Sequence, residues 1–543
     1  ILNWRSSIGK DKEENMKKKV VIFIILALAG SLVSPIAPTI GGLIDKTKAP
    51  NTANEGINKS LKDEIGAGRG SITTPKSSLF IIKRDPFRAI SRGRQIFQRK
   101  FTREEGQGPG VGDGKGDVHT MIEIGAGLSD SCSGCHALPR GSAGFGGDVV
   151  TRPDSRNAQH LFGLGLKEML ADEITADLRS IRDKAISNAK SSGHSVTQQM
   201  TSKGISYGLI TANPNGSVDT SRIEGIDPDL RVRPFFAHGG TISIREFVFG
   251  ALHAEMGIHA FDPDLTTANT GGKITTPSGM VLDGSTDKIQ PSTAKTKLDM
   301  PEMGGAASEI DYSIVDYLEF YLLNYFKPAT YKQTETTLKG RQVFKQLLCA
   351  TCHIPSLRIN KDRRVADVDT VYDPGNGIFN NLFATATPLY DVVDDGNGLP
   401  PLKTPKLKPF LVENIFTDFK RHDLGPNFHE RNYDGTINKL FLTTALWGVG
   451  STPTYGHDGR SINLTEVILR HGGEAQASRD AFAILDKDDQ TALLDFLNSL
   501  VLFTPDDTAS NLDPGNRNAP GFPQHGHGKV KLSVLFNDPD DPE

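Results

Sequence analysis

Apolar residues recur at helical spacing in two long segments of the chain, 309–326 (EIDYSIVDYLEFYLLNYF) and 486–503 (DKDDQTALLDFLNSLVLF). The second begins with an aspartate that can cap a helix, and both predict amphipathic closing helices. A shorter pattern is repeated ahead of each, GRQIF at 93–97 and GRQVF at 340–344, and it places two adjacent apolar residues on a predicted lead helix. These patterns predict a mainly α chain of two similar units, each with long irregular loops between its lead and closing helices.

A length of 543 residues exceeds what one compact core usually holds, so we expect more than one domain. The predicted regions are upstream residues and a signal peptide at 1–37, an extension at 38–80, a first domain at 81–330, a second domain at 331–510 and a tail at 511–543.

The N-terminal region has the pattern of an export signal. Three lysines at 17–19 precede an apolar run at 20–29, and Ala27-Leu28-Ala29 offers a small-x-small cleavage site. The apolar run is shorter than the about 20 residues that a membrane-spanning helix needs. We therefore expect a periplasmic or otherwise exported protein without a stable membrane span.

Charge and composition narrow the function classes. The chain has 61 basic and 65 acidic residues, a net charge of −4, and 56 glycines with 31 prolines. This balance, without a long basic block, excludes a nucleic-acid-binding class and is typical of a loop-rich globular protein.

All four cysteines lie in Cys-x-x-Cys-His pentapeptides, and these decide the predicted chemistry. Disulfides or zinc would leave the histidine after each second cysteine unexplained. Two haem c groups account for every residue: each cysteine pair forms thioethers, and the adjacent histidine reaches the iron. We therefore predict two cytochrome-c-like domains, each with one covalently bound haem, attached at Cys132, Cys135 and His136 and at Cys349, Cys352 and His353.

The second domain lacks the methionine that binds the iron of an ordinary electron-transfer cytochrome. No methionine follows Met303, so the second domain has no methionine of its own for the sixth position. Histidine is the remaining ligand type in that domain, with His422, His429, His457 and His471 as candidates ahead of the tail.

Several separated motifs resemble a known family. GVGSTPTYGHDGRSINLTEVILRHGGEA (448–475) is similar to the C-terminal signature of the bacterial di-haem cytochrome c peroxidases and of the methylamine dehydrogenase maturation enzyme. FTREEGQGPG, FKRHDLGP, LWGVGSTPTYGHDGR and LRHGGEA resemble more closely the di-haem oxidoreductase, or thiol oxidoreductase, branch of that superfamily. The likeness runs from about residue 85 to residue 503, and residues 262–306 depart from it as an insertion.

The resemblance implies ligands for the second haem. In the superfamily the sixth ligand lies fourteen residues beyond the histidine of the His-Asp-Gly turn, which places it at His471. His471 can also cap the helix 464–470. We expect His457 to hydrogen-bond near the haem, whereas His422 stays open as a rival ligand.

The same resemblance makes the first haem the reactive one. Relatives that need reductive activation have a distal histidine about sixteen residues after the proximal one, but no histidine occurs between residues 137 and 159. An accessible iron is therefore expected, although His160, His253 or Met256 could close it. Glu255 matches the family's distal glutamate, an acid–base group for O–O cleavage. Arg245 replaces the glutamine that accompanies it and is the second candidate catalytic residue.

Two further roles come from the resemblance alone. Asn157, Thr452 and Thr454 occupy places of the family's Ca²⁺ ligands, and oxygen ligands suit that ion. Trp447 is expected to pack on the second haem, with an electron-relay role as the alternative.

The expected function is therefore a peroxidase-like oxidoreductase. It would reduce hydrogen peroxide or another small oxidant at the first haem, with electrons from a small c-type cytochrome or cupredoxin passing through the second. The alternatives are a pure electron-transfer cytochrome, and an oxygenase or protein-modifying enzyme whose insertion 262–306 shapes a substrate groove.

Overall fold

A computed structural model of the chain describes residues 65–101, 129–136, 143, 148–149, 156–292, 308–325, 333–372, 382–432, 435–501 and 529–530. The predicted signal peptide, the glycine-rich stretch 104–117 and nearly all of the predicted tail lie outside these ranges. None of the helices within them combines the length and hydropathy that a membrane crossing requires.

The helices of the described residues are α1 (Ser78–Arg84), α2 (Pro86–Gln98), α3 (Leu164–Ser192), α4 (Ile244–Ala254), α5 (Pro263–Asn269), α6 (Tyr312–Asn324), α7 (Glu335–Gln346), α8 (Leu464–Arg470), α9 (Gln476–Ala483) and α10 (Lys487–Asn498). The predicted lead helices are thus α2 and α7, and the predicted closing helices are α6 and α10. All four are confirmed. Their starts have side-chain caps of the expected kind, from Asp85, Thr334, Asp311 and Asp486.

The repeated GRQ(I/V)F segment has the same packing role in both halves. A Cβ atom on Gly93 would overlap the carbonyl oxygen of Tyr317 in α6, and one on Gly340 would overlap that of Ala492 in α10. Each glycine therefore lets its lead helix lie directly against the closing helix. The repeat is explained by this close approach.

Short strands fill the chain between these helices. They are β1 (Asp148–Val149), β2 (Arg156–Asn157), β3 (Val196–Ser202), β4 (Ile205–Ala212), β5 (Val218–Ile223), β6 (Lys273–Thr275), β7 (Val281–Asp283), β8 (Leu357–Ile359), β9 (Ala366–Tyr372), β10 (Leu382–Pro388), β11 (Tyr390–Val393), β12 (Leu402–Pro405), β13 (Phe410–Val412), β14 (Arg421–Asp423), β15 (Glu430–Arg431), β16 (Ile437–Asn438), β17 (Leu440–Leu442) and β18 (Lys529–Val530).

The prediction of a mainly α fold with irregular loops is wrong. The structure is 38% helix and 17% strand, and its described strands form eight small sheets, the largest with three strands. The antiparallel sheet β3–β4–β5 shows why a segment predicted to be a loop forms strands instead. Ser202 pairs with Ile205 across a two-residue loop whose residues, Lys203 and Gly204, have φ values of 51° and 81°. Such loops match the twist of a hairpin, so a segment expected to be irregular pairs with itself.

The buried apolar side chains form three cores. The first joins α1, α2, α4 and α6, and the third joins α7 and α10 around Phe416. The second packs α3 and the β3–β5 sheet against Leu357, Val412 and Trp447. Because this core takes residues from both sides of position 330, the predicted division there is bridged by shared packing. The boundaries themselves stay a prediction.

The end of the predicted N-terminal extension belongs to the packed structure. The Arg69 guanidinium bonds the carboxylates of Asp264 and Asp316, and the Ser78 hydroxyl donates to Asp316 at 2.6 Å. Residues 65–80 therefore tie α6 to the segment that follows α4.

Candidate functional site

The two Cys-x-x-Cys-His segments adopt the same local structure. Each is a 3₁₀ turn, Cys132–Gly134 and Cys349–Thr351, followed by the second cysteine and the histidine. The amide of His136 donates to the carbonyl of Cys132 at 3.1 Å, and that of His353 to Cys349 at 3.0 Å. None of the four cysteines forms a disulfide in this structure.

Each turn lines its own cavity. Cys132, Cys135 and His136 line a cavity of about 720 Å³, here called the larger cavity. Cys349, Cys352 and His353 line one of about 260 Å³, the smaller cavity. The lead-helix phenylalanine stands beside each histidine, because the rings of Phe97 and His136 are 6.5 Å apart and those of Phe344 and His353 are 6.1 Å apart.

The smaller cavity brings two histidines together in a form suited to bind iron. The Nδ1 atom of His353 lies 3.0 Å from the Phe416 carbonyl, and that of His471 lies 2.7 Å from the Val467 carbonyl. A carbonyl only accepts, so both Nδ1 atoms carry the proton and both Nε2 atoms keep a free lone pair. Burial lowers both pKa values, that of His353 to about 4, and keeps the imidazoles neutral.

His422 lines the same cavity but differs from these two. Its Nε2 is 3.0 Å from Asp418 and its Nδ1 is 2.6 Å from Glu474. Burial opposes its charge, yet the hydrogen bonds to these carboxylates raise the pKa of His422 to about 11. Because both ring nitrogens carry protons, His422 has no lone pair for a metal. The geometry therefore favours His471 as the sixth ligand.

One wall, here called the shared wall, lines both cavities. It consists of Asn157–His160, Lys167, Ala237, Leu442–Ala445 and His457. The His457 ring is stacked on Phe441 at 3.9 Å and lies 3.2 Å from a carboxylate oxygen of Glu430. His457 thus lies in the lining of both cavities, and its role beside a haem stays a prediction.

Glu255 lines the larger cavity, where the resemblance places the distal glutamate. It follows the last residue of α4, and its amide donates to the carbonyl of Ala251 at 3.0 Å. Burial raises the pKa of the nearby Cys135 thiol, and the negative charge of Glu255 raises it further. The carboxylate is therefore close to the Cys-x-x-Cys-His turn.

The three candidates for closing the first iron also line the larger cavity. Met256 is buried with its Sδ atom 4.0 Å from Sγ of Cys132, at the edge of the attachment turn. The His253 ring lies 5.1 Å from that of His259. The His160 Nε2 is 3.0 Å from the Trp447 carbonyl, which leaves Nδ1 as its free nitrogen.

Arg245 does not line the larger cavity, contrary to its predicted place beside Glu255. Its side chain is fully buried, and its guanidinium bonds Asp262, Asp316 and Glu319. The arginine that replaces the family's glutamine therefore neutralises a cluster of buried carboxylates.

The predicted calcium residues are partly brought together. The Asn157 side-chain amide donates to the carbonyl of Thr454 at 3.0 Å, and its backbone amide donates to the backbone carbonyl of His457 at 2.9 Å. The Thr452 hydroxyl donates to Gly448 at 3.0 Å. Asn157 and Thr454 are thus adjacent, at the end of the shared wall.

Trp447 is buried in the lining of the smaller cavity, where it was predicted to pack on a haem. Its indole nitrogen has no hydrogen-bond partner among the described residues. A buried indole N–H usually finds an acceptor. An unsatisfied donor at this place suits a group with carboxylate side chains, such as a haem. Together with the two free Nε2 atoms and the thiol pair, it shows that the residues present fit a haem c.

Sequence reasoning missed Lys167, which lines both cavities. The available signal was a single lysine in the otherwise apolar run LFGLGLKEML (161–170).

Each of the two cavities is built on a Cys-x-x-Cys-His turn. The family described as "Di-haem oxidoreductase, putative peroxidase" matches residues 361–500. This match confirms the resemblance found in the sequence over those residues. The matched segment contains Trp447, His457 and His471 and begins after the second attachment turn.

Two solved structures are similar to the chain. One is hydrazine synthase from Kuenenia stuttgartiensis pressurized with xenon, with 15% identity, a TM-score of 0.21 and coverage of 36% of this chain and 57% of that chain. The other is a MauG-like protein associated with microbial copper homeostasis, with 12% identity, a TM-score of 0.29 and coverage of 76% and 89%. The chain thus spans little more than half of the hydrazine synthase chain. No curated protein matches it.

Proposed function

We propose that this chain is an exported di-haem c-type oxidoreductase that reduces hydrogen peroxide in the larger cavity with electrons delivered through the smaller one. The difference between the two cavities carries the proposal. The smaller cavity presents two histidines with free Nε2 atoms, His353 and His471, whereas the larger presents His136 together with the carboxylate of Glu255. A small c-type cytochrome or a cupredoxin would supply the electrons.

In the larger cavity the haem would supply an iron that binds the oxidant. Cys132 and Cys135 would hold the macrocycle, and His136 would bind the iron from one side. Glu255 would take the proton from one oxygen atom of the peroxide and return it to the other, which then leaves as water.

In the smaller cavity the protein would exclude the oxidant. His353 and His471 are oriented by backbone carbonyls, so their Nε2 atoms would be the protein groups that hold the second iron. An iron held this way exchanges electrons with little rearrangement of its ligands. This site is therefore the proposed electron store and entry port.

Replacement of Glu255 tests the proposal. Glu255→Gln should retain both haems and lower peroxide turnover by roughly 10²–10⁴ because the amide cannot carry the proton. Glu246→Gln is the matched control. That carboxylate also lines the larger cavity, but it accepts from the backbone amide of Gln290 and from Ser243. Equal turnover of wild type and Glu255→Gln would refute the role.

One observation favours the oxygenase or protein-modifying alternative. Three residues of the insertion 262–306, namely Leu265, Gln290 and Pro291, line the larger cavity. Turnover of an organic or protein substrate without an external electron donor would support that alternative, whereas turnover only with a donor supports the peroxidase.

A Ca²⁺ site at Asn157, Thr452 and Thr454 is also proposed. The contact between Asn157 and Thr454 supports it, since it places an amide and a backbone carbonyl side by side. Calcium titration of the holoprotein by calorimetry, with Asn157→Ala as the comparison, tests it.

A further inference from the structure

Lys167 is placed where the two cavities meet. Lys167 lies in the first turn of α3. The helix begins directly after Gly163, whose φ is 72°. The side chain forms part of the shared wall and lines both cavities. It is thus a cation that faces two sites at once.

The Lys167 ammonium has no hydrogen bond or ion pair to any side chain of the described residues. The neighbouring carboxylate, Glu168, points elsewhere, accepting from the Ile244 amide at 2.6 Å and pairing with Arg363. Burial without a counter-charge lowers the pKa of Lys167 to about 8. The buried arginines Arg245 and Arg364 differ from Lys167, because each of them bonds carboxylates.

An enclosed cation without a partner is costly, so such a group normally faces an anion. The other titratable groups of the shared wall cannot replace it as the cation there. His160 is kept neutral because burial, and then the charge of Lys167, lower its pKa to about 3. His457 faces the Glu430 carboxylate at 3.2 Å. The wall thus offers one uncompensated positive charge to whatever occupies the two cavities.

We propose that the Lys167 ammonium binds carboxylate side chains of both haems and so links the electrostatics of the two redox sites. Each haem c carries two propionates, and the unsatisfied indole N–H of Trp447 in the lining of the smaller cavity points to an acceptor of the same kind. The inference rests on the haem occupancy in the proposed function, but not on peroxide chemistry.

The test is a spectroelectrochemical titration of both haems in the holoprotein. Lys167→Met removes the charge and keeps the chain length. Because a nearby cation favours the reduced haem, the reduction equilibrium of both haems should become about tenfold less favourable in this variant, which corresponds to about 59 mV for a one-electron couple. Lys167→Arg should stay near the wild type.

Lys184→Met is the matched control, because Lys184 lies exposed on the same helix, and both potentials should be unchanged. Unchanged potentials in Lys167→Met with both haems present would overturn the proposal. A shift of only one potential would overturn the shared role. If Lys167→Met does not fold, Lys167→Gln carries the same expectation.

Haem content, measured on the same samples, separates this inference from the proposed function. A wild-type protein without covalent haem overturns both. A protein with two haems, no peroxide turnover and the expected potential shifts overturns only the peroxidase. Loss of turnover together with unchanged potentials in Lys167→Met would count against the haem-carboxylate contact.

Discussion

The two halves of this molecule repeat one local design and differ in what surrounds it. In both, a lead helix with an essential glycine packs on a closing helix, and a phenylalanine stands about 6 Å from the histidine of the attachment turn. In the smaller cavity a second histidine, His471, joins the first. In the larger cavity Glu255 lies close to the turn. The Cys-x-x-Cys-His turn and its two helices are therefore common to both halves, whereas other residues that line each cavity come from segments far away in the sequence.

The largest expected effect comes from removing His471, the histidine that distinguishes the smaller cavity in this comparison. His471→Ala should convert the haem of the smaller cavity from low spin to high spin, because a single imidazole leaves the iron five-coordinate or bound to water. An EPR spectrum of the ferric protein should then show two high-spin irons in place of one. His429→Ala is the control, since the His429 ring pairs with Asp423 instead. A spectrum unaltered by His471→Ala would remove that residue from the ligand set.

Replacement of Arg245 distinguishes a structural role of this residue from a catalytic one. Arg245→Met would leave Asp262, Asp316 and Glu319 without their shared counter-charge, so the free energy of unfolding should fall by about 3–5 kcal/mol. Denaturant unfolding of the holoprotein measures it. A stable Arg245→Met variant with strongly reduced turnover would instead restore the catalytic role expected from the sequence.

The same cluster should respond to acid. Burial opposes the charge of Asp316, but Arg245 and Arg69 hold the pKa of its carboxyl below the ordinary 3.8. A depressed pKa stabilises the folded state fully above the unfolded value, and that stabilisation is lost as pH falls through the lower folded value. The stability difference between wild type and Asp316→Asn should thus be constant above pH 5 and shrink below about pH 3.8. A difference that grows on acidification would contradict the assignment.

The smallest expected changes in stability test whether the lead and closing helices pack alike in the two halves. Gly93→Ala and Gly340→Ala should each lower the free energy of unfolding by about 1–3 kcal/mol, because the added methyl meets backbone of the closing helix. Gln342→Ala, on an exposed face of α7, is the control for helix propensity. A neutral result at one glycine alone would show that the two helix pairs are not packed alike.

The helices were predictable because their signals are local. The closing helix α10 begins at an aspartate whose side chain caps it, and its apolar residues recur at helical spacing. The hairpins were missed for the opposite reason. The loop Lys203–Gly204 is too short and too ordinary in sequence to predict the β3–β4 pair, yet its left-handed φ values close the pair tightly.

Site residues divide in the same way. His471 was predicted from a resemblance at fixed spacing, and the structure places it in the cavity of His353 with its Nδ1 held by a carbonyl. Arg245 was assigned to the pocket by the same reasoning, but its neighbours supply three carboxylates that no local pattern connects with it. Lys167 was missed because a single lysine in an apolar run does not show what it faces.

The sequence by itself determined the two attachment turns, the helices that flank them and the absence of a methionine after residue 303, because these depend on residue identity and on contacts within one helical turn or motif. The tertiary structure placed His471 in the lining of the smaller cavity with its Nδ1 held by a carbonyl, and Glu255 in the lining of the larger cavity. It also buried Arg245 among carboxylates outside the larger cavity and placed Lys167 in the lining of both cavities. Those outcomes depend on residues from separate segments of the chain meeting in space, and on the cost of leaving a buried charge without a partner.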